Sequence, residues 1–146
     1  MSQPAIIGQS IPRLDAPSKV TGQAIYTDDL KMPGMLYGKL LRSPLAHAKI
    51  KRLDVSRAKA LPGVKDVITG ADIPQVKYGN WRLVPQSQDE LALAVDKVRF
   101  VGDEVAAVCA IDADTAQRAL ELIEVEYEEL PVILSVEEAT AEGAPL

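Results

Sequence analysis

The stretch Lys97–Pro131, KVRFVGDEVAAVCAIDADTAQRALELIEVEYEELP, decides the fold. Two apolar runs, Val98–Val101 and Glu104–Ile111, flank Gly102-Asp103, a dipeptide able to supply the positive φ that a type II′ hairpin turn needs at its first central position. Ala116, Ala119, Leu120 and Ile123 then recur at helical spacing. Asp112 or Asp114 stands where a helix N-cap is needed, and Asp114 with Gln117 has capping-box spacing. Beyond the helix, Ile123, Val125 and Tyr127 alternate with Glu124, Glu126 and Glu128, giving a strand with one apolar and one acidic face. The stretch therefore reads as a strand pair, a helix at about 115–122 and a returning strand, a βαβ unit in a mixed sheet. Its polar residues form no catalytic set.

Upstream, Pro4, Pro12 and Pro17 disfavour helix across residues 1–22 and predict an extended, Pro-rich arm that needs a surface to lie on. Residues 23–28 suit a strand, Asp28-Asp29 open a loop that turns at Pro33-Gly34, and strands are expected again at 36–43 and 46–53. In the last of these, Ala48 and Ile50 oppose His47, Lys49 and Lys51, the pattern of a sheet wet on one face. Asp54 caps a short helix at about 55–60, Pro62-Gly63 stops it, and 64–69 is a further strand. Residues 70–96, with Trp81 and four Pro or turn residues, read as a long surface excursion. Ser135 with Glu138 repeats the capping-box spacing and implies a last helical turn. The expected organisation is an arm over 1–22, one α+β domain over 23–138, and a linker over 139–146.

At 146 residues, 47% hydrophobic and 25% charged, the chain suits one globular domain that buries roughly two-thirds of its unfolded surface. A net charge of −5 with dispersed Lys and Arg argues against nucleic acid. The single Cys109 rules out an internal disulfide and suits a reducing, cytoplasmic setting. No apolar run approaches the roughly 18 residues of a spanning helix, and no leader pattern opens the chain, so neither membrane nor targeting is expected.

His47 is the only histidine, too few for a zinc or triad site, and reads as structural. Glu124, Glu126, Glu128 and Glu129 read as a solvated face rather than a cation site, because carboxylates on one strand face diverge. Asp28-Asp29 and Asp103-Glu104 sit at turns and read as turn acids. Ser43 lacks a Gly-x-Ser-x-Gly elbow and a base, and Gly34–Gly38 opens a strand rather than a phosphate-binding helix. Lys31-Met32 before Pro33-Gly34 weakly resembles the turn lysine of biotinyl or lipoyl carriers, so a stand-alone binding or carrier module is the competing class. No residue is assigned to catalysis, cofactor binding or metal.

Taken in order, GQAIYTDDL, LLRSPLAHAKIKRLDVSRAKALPGVKDVITGADIP, KVRFVGDEVAAVCAIDADTAQRA and IEVEYEELP resemble the N-terminal α/β hammerhead domain of the molybdenum hydroxylase large subunit, a family that includes xanthine dehydrogenase, aldehyde oxidase and 4-hydroxybenzoyl-CoA reductase. The resemblance runs from about Ile7 to Leu146. It implies an oxidoreductase whose large subunit holds molybdopterin in regions downstream of this domain, with iron–sulfur clusters and FAD on partner chains or domains. It also implies that the partners of this piece are the downstream molybdenum domains and the iron–sulfur and FAD subunits. Gly22, Tyr26, Asp29, Arg42, Ser43, His47, Asp54, Gly63, Gly102, Tyr127 and Pro131 match the family pattern as fold-forming positions. The implied role is a brace that packs large domains and lines the outer part of a substrate funnel, with no activity of its own.

Overall fold

Strand β5 (Glu104–Ala110) is the axis of the larger unit, and alternation along EVAAVCA explains why. Ala106, Val108 and Ala110 point to one side and Val105 to the other, and all four are buried, so this strand must be covered on both faces. In the computed structural model, which describes residues 7–79 and 88–144, β5 lies between β1 (Tyr37–Arg42) and β3 (Val64–Thr69), antiparallel to both. A second antiparallel sheet has β2 (Ala48–Asp54) at its centre, flanked by β4 (Lys97–Val98) and β6 (Glu124–Glu129). The α+β hammerhead class holds. The mixed sheet does not, because every strand pair among the described residues is antiparallel.

The two strands around helix α3 (Ala113–Glu121) belong to different sheets, so α3 links sheets and is not the crossover of a βαβ unit. Both edges of β5 are already taken by β1 and β3, and the chain leaving α3 pairs instead with β2, Ala48 opposite Glu129 and Asp54 opposite Glu124. The expected 98–101/104–111 hairpin fails for a related reason. Val98 pairs with Ala48 and Glu104 with Arg42, so the intervening turn hands the chain from one sheet to the other. That turn runs from Phe100 to Asp103 with Gly102 third at φ +97, which is type II geometry rather than II′.

Helix α3 (Ala113–Glu121) starts two residues earlier than the 115 expected. Asp112, in extended conformation, accepts from the Thr115 N–H at 2.6 Å and is the N-cap, so Asp114 lies inside the helix. The Thr115 N–H holds the Asp112 carboxyl below its usual range. Buried Ala116 and Ala119 face Ala58, Val67, Ala106, Val108, Ala110 and Ile123, a core of small side chains that lets helix and sheet approach closely. Ala48, Ala94, Val98 and Val105 form a second core, and Leu41, Leu53 and Val125 pack against both. Burial of Leu93 and Ala94 shows that the long excursion returns into the core before β4.

Short helix α2 (Ser56–Lys59) follows Asp54, whose Oδ1 accepts from the Ser56 N–H and hydroxyl. Arg57 then pairs with Glu124 of β6. Gly63, at φ +95, closes the turn after Pro62, and its carbonyl receives the Ile111 N–H at the end of β5. Near the far end, α4 (Val136–Thr140) is capped by Ser135, whose hydroxyl accepts from Glu138 N–H, while Glu138 accepts from Leu134 N–H.

The chain comprises two compact units, Met1–Met35 and Leu36–Leu146. In the first unit a helix, α1 (Ala16–Val20), stands where only extended chain was expected. Pro17 is tolerated because the N–H it lacks has no partner in a helix's first turn. Asp15 pairs with Arg13 and Lys19 across the same turn. The strand expected at 23–28 is absent. Tyr26 is extended, but Asp29 accepts from its N–H and winds Thr27–Asp29 into a 3₁₀ turn. Trp81 and Pro85 lie outside the described residues.

Candidate functional site

The loop after β1 and the turn before β5 are knotted by backbone bonds. Ser43 N–H donates to Asp103 O and Gly102 N–H to Ser43 O, both at 2.8 Å. Arg42, at the end of β1, donates to Gly102 O and pairs with Glu104, spanning the β-bulge in the β1–β5 register. Ser43 itself is buried, its hydroxyl donating to Leu45 O and accepting from Leu45 N–H. Asp103 is buried too, accepting from Arg99 N–H at 2.8 Å. Burial raises the Tyr127 hydroxyl pKa, opposed by Ser43 and assisted by the charge of Asp103.

Beside this junction, His47 fixes the path after β6. Its Nδ1 donates to Pro131 O at 2.7 Å, leaving Nε2 as the acceptor facing Lys97 Nζ at 3.3 Å. Leu130 N–H bonds His47 O, so the chain lies along β2 beyond the end of the ladder. Arg42, Ser43, His47, Gly102, Tyr127 and Pro131, scattered over ninety residues of sequence, are thus brought to one seam between the two sheets. Gly63 and Asp54 stabilise turns elsewhere, and Gly22, Tyr26 and Asp29 belong to the first unit.

Adjoining the seam at His47 and Pro131, an open groove of about 550 Å³ is lined by these two residues together with Lys97, Arg99, Phe100, Val101 and residues 132–134. Sequence reading missed it by assigning 98–101 to a strand. The available signal was Phe100-Val101, two adjacent apolar residues before a turn glycine, which cannot both face a core.

The remaining candidates are not assembled into a reactive constellation. Glu128 pairs with Lys51 and, at 3.8 Å, with Lys49 on the neighbouring strand, and Glu124 pairs with Arg57. Lys51 holds Glu128 below the usual carboxylate range, and Glu128 raises Lys51. The acidic face of β6 is therefore a cross-strand ion-pair surface. Neither His47 nor Ser43 has the other as a hydrogen-bond partner. Pro33-Gly34 forms a turn closed by Met35 N–H to Met32 O, with Lys31 just before it. Among the described residues no three His, Cys, Asp or Glu converge in a way that could hold a metal ion. One cysteine cannot supply the four thiolates of an ordinary iron–sulfur cluster. The thiol of this chain alone therefore does not fit an iron–sulfur cluster.

The family model described as aldehyde oxidase and xanthine dehydrogenase, a/b hammerhead domain, matches residues 21–131. The xanthine dehydrogenase molybdenum-binding subunit of Escherichia coli O157:H7 is 44% identical over 138 residues, 90% of this chain and 18% of that protein. The carbon monoxide dehydrogenase large chain of Afipia carboxidovorans is 46% identical over 127 residues, 86% of this chain and 15% of that one. Among solved structures, the aldehyde oxidoreductase from Desulfovibrio desulfuricans aligns over 100% of this chain and 17% of its own, with a TM-score of 0.88 and 34% identity. The Cu,Mo-CO dehydrogenase aligns over 95% of this chain and 17% of its own, with a TM-score of 0.86 and 41% identity. The chain spans less than a fifth of the length of these relatives.

Proposed function

The chain belongs to the a/b hammerhead domain family of aldehyde oxidase and xanthine dehydrogenase, and from that premise we propose that it is the N-terminal structural domain of the large subunit of a cytoplasmic molybdenum hydroxylase. The oxidoreductase activity resides in the complete assembly, with molybdopterin held by downstream domains of the same subunit and iron–sulfur clusters and FAD held by partner chains or domains. The domain acts as a brace. Its two sheets are locked at the Arg42–Ser43–Gly102–Asp103 seam, and the first unit, with exposed Ile7, Ile11, Leu14 and Val20, supplies an apolar arm for a neighbouring domain.

The observation that carries this reading is the match over 90% and 100% of the chain to relatives of which it spans less than a fifth. Peptide mapping of the native enzyme tests it. Peptides from these 146 residues are expected on a much longer polypeptide that co-purifies with molybdenum, and the purified 146-residue chain is expected to reduce no dye acceptor with purine or aldehyde substrates. Turnover by the chain alone, or its recovery from cells as a free molybdenum-less protein, would overturn the proposal.

A further inference from the structure

We infer that the groove between Lys97, Arg99 and Pro131–Leu134 is a docking site for an acidic segment of polypeptide with apolar flanks, supplied by the molybdenum-bearing remainder of the subunit. The inference rests on the function proposed above. Charge is the first argument. The whole chain carries −5, yet the ionisable side chains that line this groove are His47, Lys97 and Arg99, with no carboxylate among them. The nearest ion-pair partner, Asp96, is 3.7 Å from Arg99 and 70% exposed, too distant for a hydrogen bond and too solvated to neutralise it.

Lys97 is also held ready. Pro131 O fixes the His47 ring through Nδ1, Nε2 accepts one of the three ammonium donors, and two remain for an incoming carboxylate. Around these cations stand apolar side chains left in solvent: Phe100 is 50% exposed, Val101 65% and Leu134 87%. Walls so exposed do not enclose a small molecule, whose sites bury most of the ligand surface. Two cations, Lys97 and Arg99, on an acidic chain are likewise too few to collect a nucleic acid or an anionic membrane. A carboxylate between Lys97 and Arg99, with apolar neighbours covering Phe100 and Leu134, matches the groove in charge and in hydrophobicity.

Zero-length cross-linking of the intact enzyme tests this. A water-soluble carbodiimide joins an ammonium and a carboxylate already in contact, and the Lys51–Glu128 pair is the internal control. The expected product links Lys97 to an Asp or Glu outside residues 1–146, and Lys97→Glu with Arg99→Glu is expected to lower the yield of assembled enzyme at least ten-fold where Lys97→Arg preserves it. Formation of the Lys51–Glu128 link with Lys97 unlinked, or linked only within these 146 residues, would overturn the docking site and leave the structural-domain reading intact if the chain maps to a molybdenum-bearing polypeptide. Recovery of the residues on a free chain would overturn both.

Discussion

Replacing Gly70 by alanine tests the contact between the end of β3 and the segment that leads into β4. Gly70 is buried with no left-handed backbone requirement, and a Cβ built there lies 2.6 Å from Ala94 O and 2.8 Å from a Val95 methyl. A valine methyl can rotate away. The Ala94 carbonyl cannot, because Ala94 is 5% exposed, packs in the second core and donates its N–H to Glu104 O at 2.6 Å. Reaching an ordinary 3.4 Å contact requires the two segments to part by about 0.8 Å. Overpacking of this kind costs about 1–3 kcal/mol, offset by about 0.4–1 kcal/mol from the stiffer unfolded chain. The expected net loss is about 1–2 kcal/mol, or ~3–8 °C in Tm, read by thermal unfolding followed by circular dichroism. Gly38→Ala is the matched control. It sits on the exposed side of β1 with its nearest neighbour, Val108 O, at 3.9 Å, and is expected to be neutral or slightly stabilising. Equal effects of the two substitutions, or a Gly70→Ala protein as stable as the parent, would refute the close-approach argument.

Val67→Ala removes two methyl groups from a site with no solvent exposure, so a loss of about 2–3 kcal/mol is expected in urea titrations, and less than about 1 kcal/mol would mean that the small-residue core collapses around the gap. Asp54 is held down from 3.8 to about 2, first by the Ser56 hydroxyl, then by the Ser56 N–H and Arg52. Its contribution is therefore complete above about pH 4 and lost as pH falls through 2. Thermal melts across pH 2–7 should show the gap between parent and Asp54→Ala narrowing toward pH 2; a constant gap would exclude the linkage. His47→Leu leaves Pro131 O and Lys97 Nζ to half-exposed solvent, for an expected cost of about 1 kcal/mol and faster amide exchange at Leu130, whose N–H bonds His47 O. Unchanged exchange there would show that the ring does not anchor the path after β6.

Local signals in this chain were legible where a residue interacts with its own neighbours. Ser135 is the N-cap its spacing marked, Gly63 takes the left-handed turn, and β3 occupies the residues its pattern marked; Asp54 stands one residue before the N-cap of α2, Val55, and accepts from Ser56 N–H instead. The Gln23–Asp28 strand failed because an extended propensity forms no strand without a partner, and local bonding to Asp29 won. Residues Val98–Val101 failed in the opposite sense. A hairpin reading assumes that neighbours in sequence pair, whereas β4 pairs with β2 and β5 with β1 and β3.

Periodicity alone determined which face of α3 and β6 is apolar, and the ordered motifs pointed to the family. Pairing partners were decided by tertiary structure, because strands join through backbone groups that every residue carries and no side chain labels. The same is true of the groove: His47, Lys97 and Pro131 are separated by up to 84 residues, and only the pairing of β4 and β6 on either side of β2 puts an imidazole between an ammonium and a carbonyl.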